Sequence, residues 1–155
     1  MATTVGLIGL GAMGSGMAQS LRRAGYTPFV CDLHKNVADA FAASGGTACA
    51  SPAELAAQCN VVVSVVVNAA QTESVLFGAQ GCAGAMTPGS VFVMCSTVDP
   101  NWSIALEARL EALGILYIDA PISGGAARAA SGEMTMMSAA RPEAYAAAEP
   151  VLRAM

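Results

Sequence analysis

Basic side chains are scarce in this sequence, and charge of either sign is low. Of its 155 residues, 12% are charged, with a single lysine, Lys35, and a single histidine, His34. With a net charge of −4 and scattered arginines there is no basic patch, which argues against nucleic-acid binding. Because the histidine has no second ligand at a useful spacing, we expect no metal site. A surface so poor in charge indicates that another domain or subunit covers part of it.

Long apolar runs and CxxC cysteine pairs are also absent. The apolar segment 61–67 has seven residues and is broken by Ser64, so it is too short to span a membrane. The N-terminal apolar stretch has no basic region and contains glycines, which is unlike an export signal. The five cysteines are typical of small buried side chains in a reducing compartment, and we expect a cytoplasmic protein without membrane association. They are Cys31, Cys49, Cys59, Cys82 and Cys95.

The first fourteen residues place a glycine motif between a strand-like run and a helix-like stretch. In the order Gly9-x-Gly11-x-x-Gly14, a dinucleotide-binding unit uses the first glycine for a tight turn and the second for the approach of a pyrophosphate. The third lets helix and strand pack closely. Free N–H groups at the helix N-terminus would bind the anion. The predicted cofactor-binding loop is Gly9, Leu10, Gly11, Ala12, Met13 and Gly14.

A carboxylate follows at the spacing expected for such a site. Asp32 ends the next strand-like segment, 18 residues after Gly14, where it could accept both adenosine-ribose hydroxyls and repel a 2′-phosphate. The alternative is that Asp32 only caps the helix that begins near Lys35. His34 and Lys35 could tolerate NADP, but the carboxylate favours NAD, and NAD is the predicted cofactor.

Strand-like and helix-like segments alternate along the whole chain. The length suits one domain of ~100–200 residues, and strands that are apolar on both faces are typical of a buried parallel sheet. The predicted fold is therefore an α/β, doubly wound, mostly parallel Rossmann sheet, with residues 1–155 as one dinucleotide-binding domain. Strands are predicted at 4–9, 27–32, 46–49, 60–67, 90–95, 115–119 and 133–138, and helices at 12–25, 35–44, 52–58, 69–77, 99–113 and 142–154.

Open α/β sheets bind ligands outside the carboxyl ends of their strands, which restricts the candidate site residues. Besides the glycine loop and Asp32, this rule selects the segments 66–68, 96–97 and 119–125. The hydroxyl of Thr97 could face the nicotinamide ribose. Equally, Thr97 could be the N-cap of the helix that starts near Pro100.

Several stretches together resemble the β-hydroxyacid dehydrogenases, a family that includes 3-hydroxyisobutyrate, threonate and 6-phosphogluconate dehydrogenases. The matching segments are Gly-Leu-Gly-Ala-Met-Gly-Ser-Gly-Met-Ala at 9–18, Ser-Thr-Val-Asp-Pro at 96–100, Asp-Ala-Pro-Ile-Ser-Gly-Gly at 119–125 and Gly-Glu-Met-Thr at 132–135. Their spacing fits as well, so the resemblance covers the whole chain, and its details are most similar to the threonate dehydrogenase branch.

The resemblance implies roles for further residues. The Ser-Gly-Gly segment of the family holds the substrate carboxylate, which points to Ser123, Gly124 and Gly125, and a hydroxyl beside two backbone N–H groups is suited to an anion. Alone, the segment would read as a glycine-rich turn. The family's further cofactor contacts fall near Val67 and Thr97. The implied reaction is hydride transfer between the nicotinamide and a small 3-hydroxy acid.

The sequence departs from the family pattern in three places. Val67-Asn68 stands where many members have Leu-Pro, and Arg128 stands where glycine is common. Arg128 could meet a second polar part of a substrate, or could be a solvated surface charge, which we favour slightly. Third, the family's catalytic lysine segment, Gly-x-Gly-x-x-x-Lys, does not occur before Met155.

The absence of this lysine segment from residues 1–155 determines what we expect of catalysis. We expect no catalytic acid–base within residues 1–155, with the lysine beyond Met155 in a helical catalytic domain that also forms a homo-oligomer. On its own, the chain would bind NAD but be inactive as a dehydrogenase. The alternative function is a non-catalytic NAD-binding or redox-sensing module.

Overall fold

The computed structural model describes residues 2–155, in which nine strands and seven helices alternate. The strands are β1 (Val5–Ile8), β2 (Phe29–Cys31), β3 (Thr47–Ala48), β4 (Val61–Ser64), β5 (Val91–Met94), β6 (Leu116–Asp119), β7 (Ile122–Ser123), β8 (Thr135–Met136) and β9 (Ala139–Ala140). The helices are α1 (Ala12–Arg23), α2 (Lys35–Ala43), α3 (Pro52–Ala56), α4 (Ala69–Phe77), α5 (Pro100–Glu111), α6 (Gly125–Ser131) and α7 (Pro142–Ala154).

Seven strands form one sheet in the order β3-β2-β1-β4-β5-β6-β9. The pairs from β3 through β6 are parallel, and β9 adds to the edge of β6 in the antiparallel direction. The chain runs outward from β1 to β3 and then returns to place β4 on the other side of β1. The strand order therefore reverses between β1 and β4, which is the doubly wound fold that the sequence predicts.

Two apolar layers cover the two faces of the sheet, because successive side chains of a strand point to opposite sides. In β4, Val61 and Val63 pack with α1, α6 and α7, whereas Val62 packs with α3, α4 and α5. All residues of β1, β4 and β5 are buried. A central strand buried on both faces explains the run of valines at 61–63.

The C-terminal third differs from the predicted pattern. The single strand predicted at 133–138 was wrong in detail: β8 pairs with β7 in a separate two-stranded sheet, and β9 joins the main sheet. The helix α6 was not predicted at all. Its seven residues follow two glycines and bury only Ala129, so it carries no apolar periodicity.

Two negative observations apply to residues 2–155. None of the helices there is both long and apolar enough to cross a membrane. In the same range, no three His, Cys, Asp or Glu side chains come together in a way that could hold a metal ion.

Candidate cofactor and substrate site

The glycine loop leaves β1 at its carboxyl end, beside the reversal of strand order. Gly9 has φ = +99°, a left-handed conformation that L side chains rarely adopt, and an added Cβ would overlap the carbonyl oxygen of Val65. Its N–H donates to Cys31 O at 2.9 Å. Ser15 Oγ donates to Leu10 O at 2.8 Å, which ties the loop to the first turn of α1. The loop is thus held by backbone geometry.

The other two glycines of the motif have different surroundings. An added Cβ on Gly14 would overlap Gly9 O, so this glycine is needed for the close packing of α1 on the loop. Gly11, the N-cap of α1, has an ordinary φ of −66°, and an added Cβ would meet nothing within 4 Å. The fold therefore does not require glycine at position 11. A side chain at position 11 would occupy open space in front of the N-terminus of α1, which no side chain caps.

Asp32 lies at the end of β2 and accepts two backbone hydrogen bonds. Its Oδ2 accepts from Leu10 N at 2.8 Å and its Oδ1 accepts from His34 N at 2.9 Å. The N-cap of α2 is His34, so Asp32 does not cap that helix, and the capping alternative is wrong. The carboxylate instead connects β2 to the glycine loop while remaining partly exposed.

Val67 and Thr97 both lie at the carboxyl edge of the sheet and are exposed, with Val67 79% exposed. The Val67 N–H donates to Gln71 Oε1 at 2.8 Å. The N-cap of α5 is Asp99, whose side chain accepts from the N–H groups of residues 101 and 102. Thr97 is therefore not the cap, and that alternative is also wrong.

Sequence reasoning missed a buried hydroxyl pair that joins the loops carrying these two residues. Ser96 Oγ donates to Val66 O at 2.6 Å and lies 3.2 Å from Thr72 Oγ1, which donates to Asn68 O at 2.9 Å. Both hydroxyl-bearing residues are at least 98% buried. The position of Ser96 beside Thr97 in the sequence was the only signal for it.

Ser123 ends β7, Gly124 follows it and Gly125 begins α6; together they form an exposed turn. Ser123 pairs with Thr135 across the small two-stranded sheet. Gly124 is the N-cap of α6 with φ = +127°, and Gly125 follows with φ = +78°. Two successive left-handed residues require glycine and leave the turn without side chains after Ser123.

Arg128 is exposed on α6, and its side chain lies over this turn. An added Cβ on Gly124 would come within 3.2 Å of Arg128 Cδ. Among residues 2–155, the ion pairs are Lys35–Asp39, Arg109–Glu73, Arg141–Glu111 and Arg153–Glu149, and none includes Arg128. The guanidinium therefore remains a solvated charge beside the glycine turn.

The cysteines have no role in chemistry at this site. All five are free and buried. Burial raises the pKa of Cys95 to about 12 and, with the nearby Cys49 and Asp32, that of Cys31 to about 11. Both side chains near the site are therefore neutral thiols at physiological pH, and neither is an activated nucleophile.

Comparisons with known proteins agree with this geometry. Residues 4–155 match the family model described as the NAD binding domain of 6-phosphogluconate dehydrogenase. The whole chain is 57% identical to L-threonate dehydrogenase of Cupriavidus necator, of which it covers 52%. The chain thus spans about half the length of the curated relatives that it matches.

Solved structures show the same fold. A 3-hydroxyisobutyrate dehydrogenase from Salmonella typhimurium matches 99% of this chain and 53% of its own, with a TM-score of 0.94 and 41% identity. Psf3 in complex with NADP+ and 2-OPP matches 97% of this chain and 54% of its own, with a TM-score of 0.90 and 26% identity.

Proposed function

We propose that this chain, which belongs to the β-hydroxyacid dehydrogenase family as an NAD(P)-binding domain, binds NAD in preference to NADP. The reaction that it serves would be the oxidation of a small 3-hydroxy acid. The glycine loop would hold the pyrophosphate, Asp32 the adenosine ribose, and the segments at Val67 and Thr97 the nicotinamide half. Ser123, Gly124 and Gly125 would hold the substrate carboxylate.

One observation carries the cofactor proposal: the open space at Gly11. The folded chain has room for a side chain there and an ordinary backbone conformation, so the fold does not require glycine, which is simply a favourable N-cap residue. A pyrophosphate lying against the uncapped N-terminus of α1 does require it, because it needs the backbone to be bare, and its charge suits the helix dipole.

The preference for NAD rests on the charges around Asp32. A partly exposed carboxylate at the end of β2 would repel the 2′-phosphate of NADP and accept hydrogen bonds from the ribose hydroxyls of NAD. The nearby cation is engaged elsewhere: Lys35 Nζ lies 2.6 Å from Asp39 Oδ2. The NADP+ complex of the more distant Psf3 is the reason to test this preference directly.

The substrate proposal rests on the turn at 123–125, which leads into α6, and on the similarity to named dehydrogenases. Ser123 offers a hydroxyl, and the bare turn at Gly124 and Gly125 offers backbone N–H groups, which together suit a carboxylate. With 57% identity to an L-threonate dehydrogenase, threonate is the first substrate to assay, followed by 3-hydroxyisobutyrate.

The bound nicotinamide would supply the hydride acceptor, while this domain would orient the substrate carbon and exclude water from it. Within residues 2–155 the single lysine lies on α2, beside the predicted adenosine pocket. We propose that the proton-transferring lysine lies beyond Met155 in a second, helical domain that also forms the oligomer. The five free thiols suit a reducing compartment such as the cytoplasm.

Gly11→Val tests the cofactor proposal. The substitution should abolish NAD binding while leaving the circular dichroism spectrum and unfolding midpoint close to those of the unmodified chain, since the new side chain fills only ligand space. Isothermal titration calorimetry measures the binding.

Gly84→Val is the matched control, because an added Cβ on Gly84 also meets nothing within 4 Å but lies far along the chain from the loop. Gly84→Val should bind NAD normally. Unaltered affinity in a folded Gly11→Val protein would mean that the loop is only a turn.

A further inference from the structure

Helix α6, which follows the predicted carboxylate-binding turn, is hydrogen-bonded to helix α1, which follows the glycine loop. Ser20 Oγ, on α1, donates to Ala129 O at 2.7 Å. Arg23 Nη1 donates to Ala130 O at 2.8 Å, and its Nη2 donates to Ser20 Oγ at 3.0 Å. Two side chains of α1 thus satisfy carbonyl groups in the last turn of α6.

The two helices also approach unusually closely. An added Cβ on Gly16 would lie 2.6 Å from Ala130 N and 2.9 Å from Ala129 Cβ, so any side chain there would push α6 away. The contacts join residues 16–23 of α1 to the last turn of α6 and to Gly132, which follows it. The last turn of α6 is therefore packed directly against α1.

Hydrophobic packing of α6 itself is limited. The helix has seven residues and a single buried one, Ala129, and isolated helices of this length are not stable. The neighbouring Ile122 and Met134 pack against the same core cluster as Ala129. The hydrogen bonds from Ser20, which is 99% buried, and from Arg23 add directional contacts that help to hold the turn at 123–125.

We propose that Ser20 and Arg23 are positioning residues that set the distance between the substrate carboxylate turn and the cofactor loop. This inference rests on the proposed function, since it assigns these residues an effect on substrate affinity. Loss of these hydrogen bonds should affect the cofactor loop and the substrate turn differently. Because α1 is anchored in the core by Met17 and Leu21, its own glycine loop should stay in place when the hydrogen bonds are lost. Only the substrate side should move.

The test uses Ser20→Ala and Arg23→Ala, with Gly16→Ala as an independent variant that displaces α6 while keeping both hydrogen-bonding side chains. Arg22→Ala is the matched control, because Arg22 lies on the same helix but bonds to Ser44 and stacks on Phe41, away from α6. Arg23→Lys retains a cationic donor and should restore part of the effect.

Two readouts separate positioning from general stability. In the 155-residue chain, amide hydrogen exchange of residues 122–131 should accelerate on the order of tenfold in the three variants, with exchange of residues 9–15 unchanged. In a protein that also carries the proposed second domain, KM for L-threonate should rise on the order of tenfold while the Kd for NAD stays within a factor of two. Arg22→Ala should change neither.

The inference is overturned if exchange at 122–131 is unaffected, or if NAD affinity falls by the same factor as substrate affinity, because the effect is then a general loss of structure. An unmodified chain that binds no dinucleotide would instead contradict the proposed function, and the exchange experiment would still decide whether the hydrogen bonds hold α6.

Discussion

At the scale of residues, two buried serines contribute differently to the stability of the fold. Ser64 lies in the centre of the sheet, fully buried, and its Oγ has no hydrogen-bond partner among residues 2–155. Ser103 is also buried, but its Oγ lies 2.8 Å from Tyr117 Oη and donates to Asp119 Oδ2 at 2.9 Å. An unsatisfied buried hydroxyl costs stability, whereas a satisfied one contributes to it.

Ser64→Ala should therefore stabilise the domain by about 1 kcal/mol, because the variant no longer buries an unpaired hydroxyl. Ser103→Ala should destabilise it by about 1–2 kcal/mol, since the buried Tyr117 and the half-buried Asp119 each lose a hydrogen bond. Urea unfolding followed by circular dichroism measures both. Equal destabilisation by the two substitutions would show that Ser64 has a partner that the structure does not reveal.

At the scale of elements, the start of α4 is fixed by reciprocal side-chain hydrogen bonds. Asn68 Oδ1 accepts from Gln71 N at 2.9 Å, and Gln71 Oε1 accepts from Val67 N at 2.8 Å. This is the pattern of a capping box, shifted by one residue at its second bond. In this chain it orders the segment that follows β4 at the carboxyl edge of the sheet.

Removing this cap should cost a measurable part of the stability. Asn68→Ala is expected to lower the free energy of unfolding by about 1 kcal/mol, the usual value for an N-cap. Asn101→Ala is the control, because Asn101 is exposed in the first turn of α5, where Asp99 supplies the cap. If chemical denaturation finds the two variants equally stable, the Asn68 side chain does not cap α4.

Periodicity and glycine spacing predict the elements of the doubly wound sheet, because each central strand is apolar on both faces and α1, α2 and α7 are amphipathic. They do not predict α6 or the split of 133–138 into β8 and β9. These elements have two to seven residues and are stabilised by distant partners such as Ser20 and β6. The hydrophobic periodicity of such short segments does not indicate contacts with residues far away in the sequence.

For the site, the sequence predicts which residues lie at the carboxyl edge, since that follows from strand ends alone. It does not distinguish a ligand-facing role from a cap at Asp32 or Thr97. Those alternatives are decided by where each helix begins, two residues later in both cases: the N-cap residue of α2 is His34 and that of α5 is Asp99. Helix boundaries are the least predictable feature of a sequence, so the alternatives stayed open until the fold was known.

At the scale of the whole molecule, the buried thiols make stability depend on alkaline pH. Burial raises the pKa of Cys31 and Cys49 from 9.0 to about 11, and that of Cys59, Cys82 and Cys95 to about 12. Near pH 9 the unfolded chain begins to lose thiol protons that the folded chain keeps. Stability is therefore complete below about pH 9 and falls as the pH rises towards 11 and 12.

The urea midpoint should accordingly decline from pH 9 to pH 11 and be flat between pH 7 and pH 8. Cys82→Ala should make the decline shallower, because one fewer thiol ionises only on unfolding. A midpoint that is constant or rises between pH 9 and pH 11 would contradict the burial of the thiols.

The central claim is that this domain binds NAD through the glycine loop and Asp32. Calorimetric titration with NAD+ and with NADP+ tests it most directly, on the unmodified chain, on Asp32→Ala and on the control Glu149→Ala, which removes an exposed carboxylate of α7. We predict tighter binding of NAD+ than of NADP+, and a loss of about 1–3 kcal/mol for NAD+ in Asp32→Ala, where charged hydrogen bonds disappear. Glu149→Ala should bind NAD+ as the unmodified chain does. Equal or tighter binding of NADP+ by the unmodified chain would contradict the account, because His34 and Lys35 would then outweigh the carboxylate of Asp32.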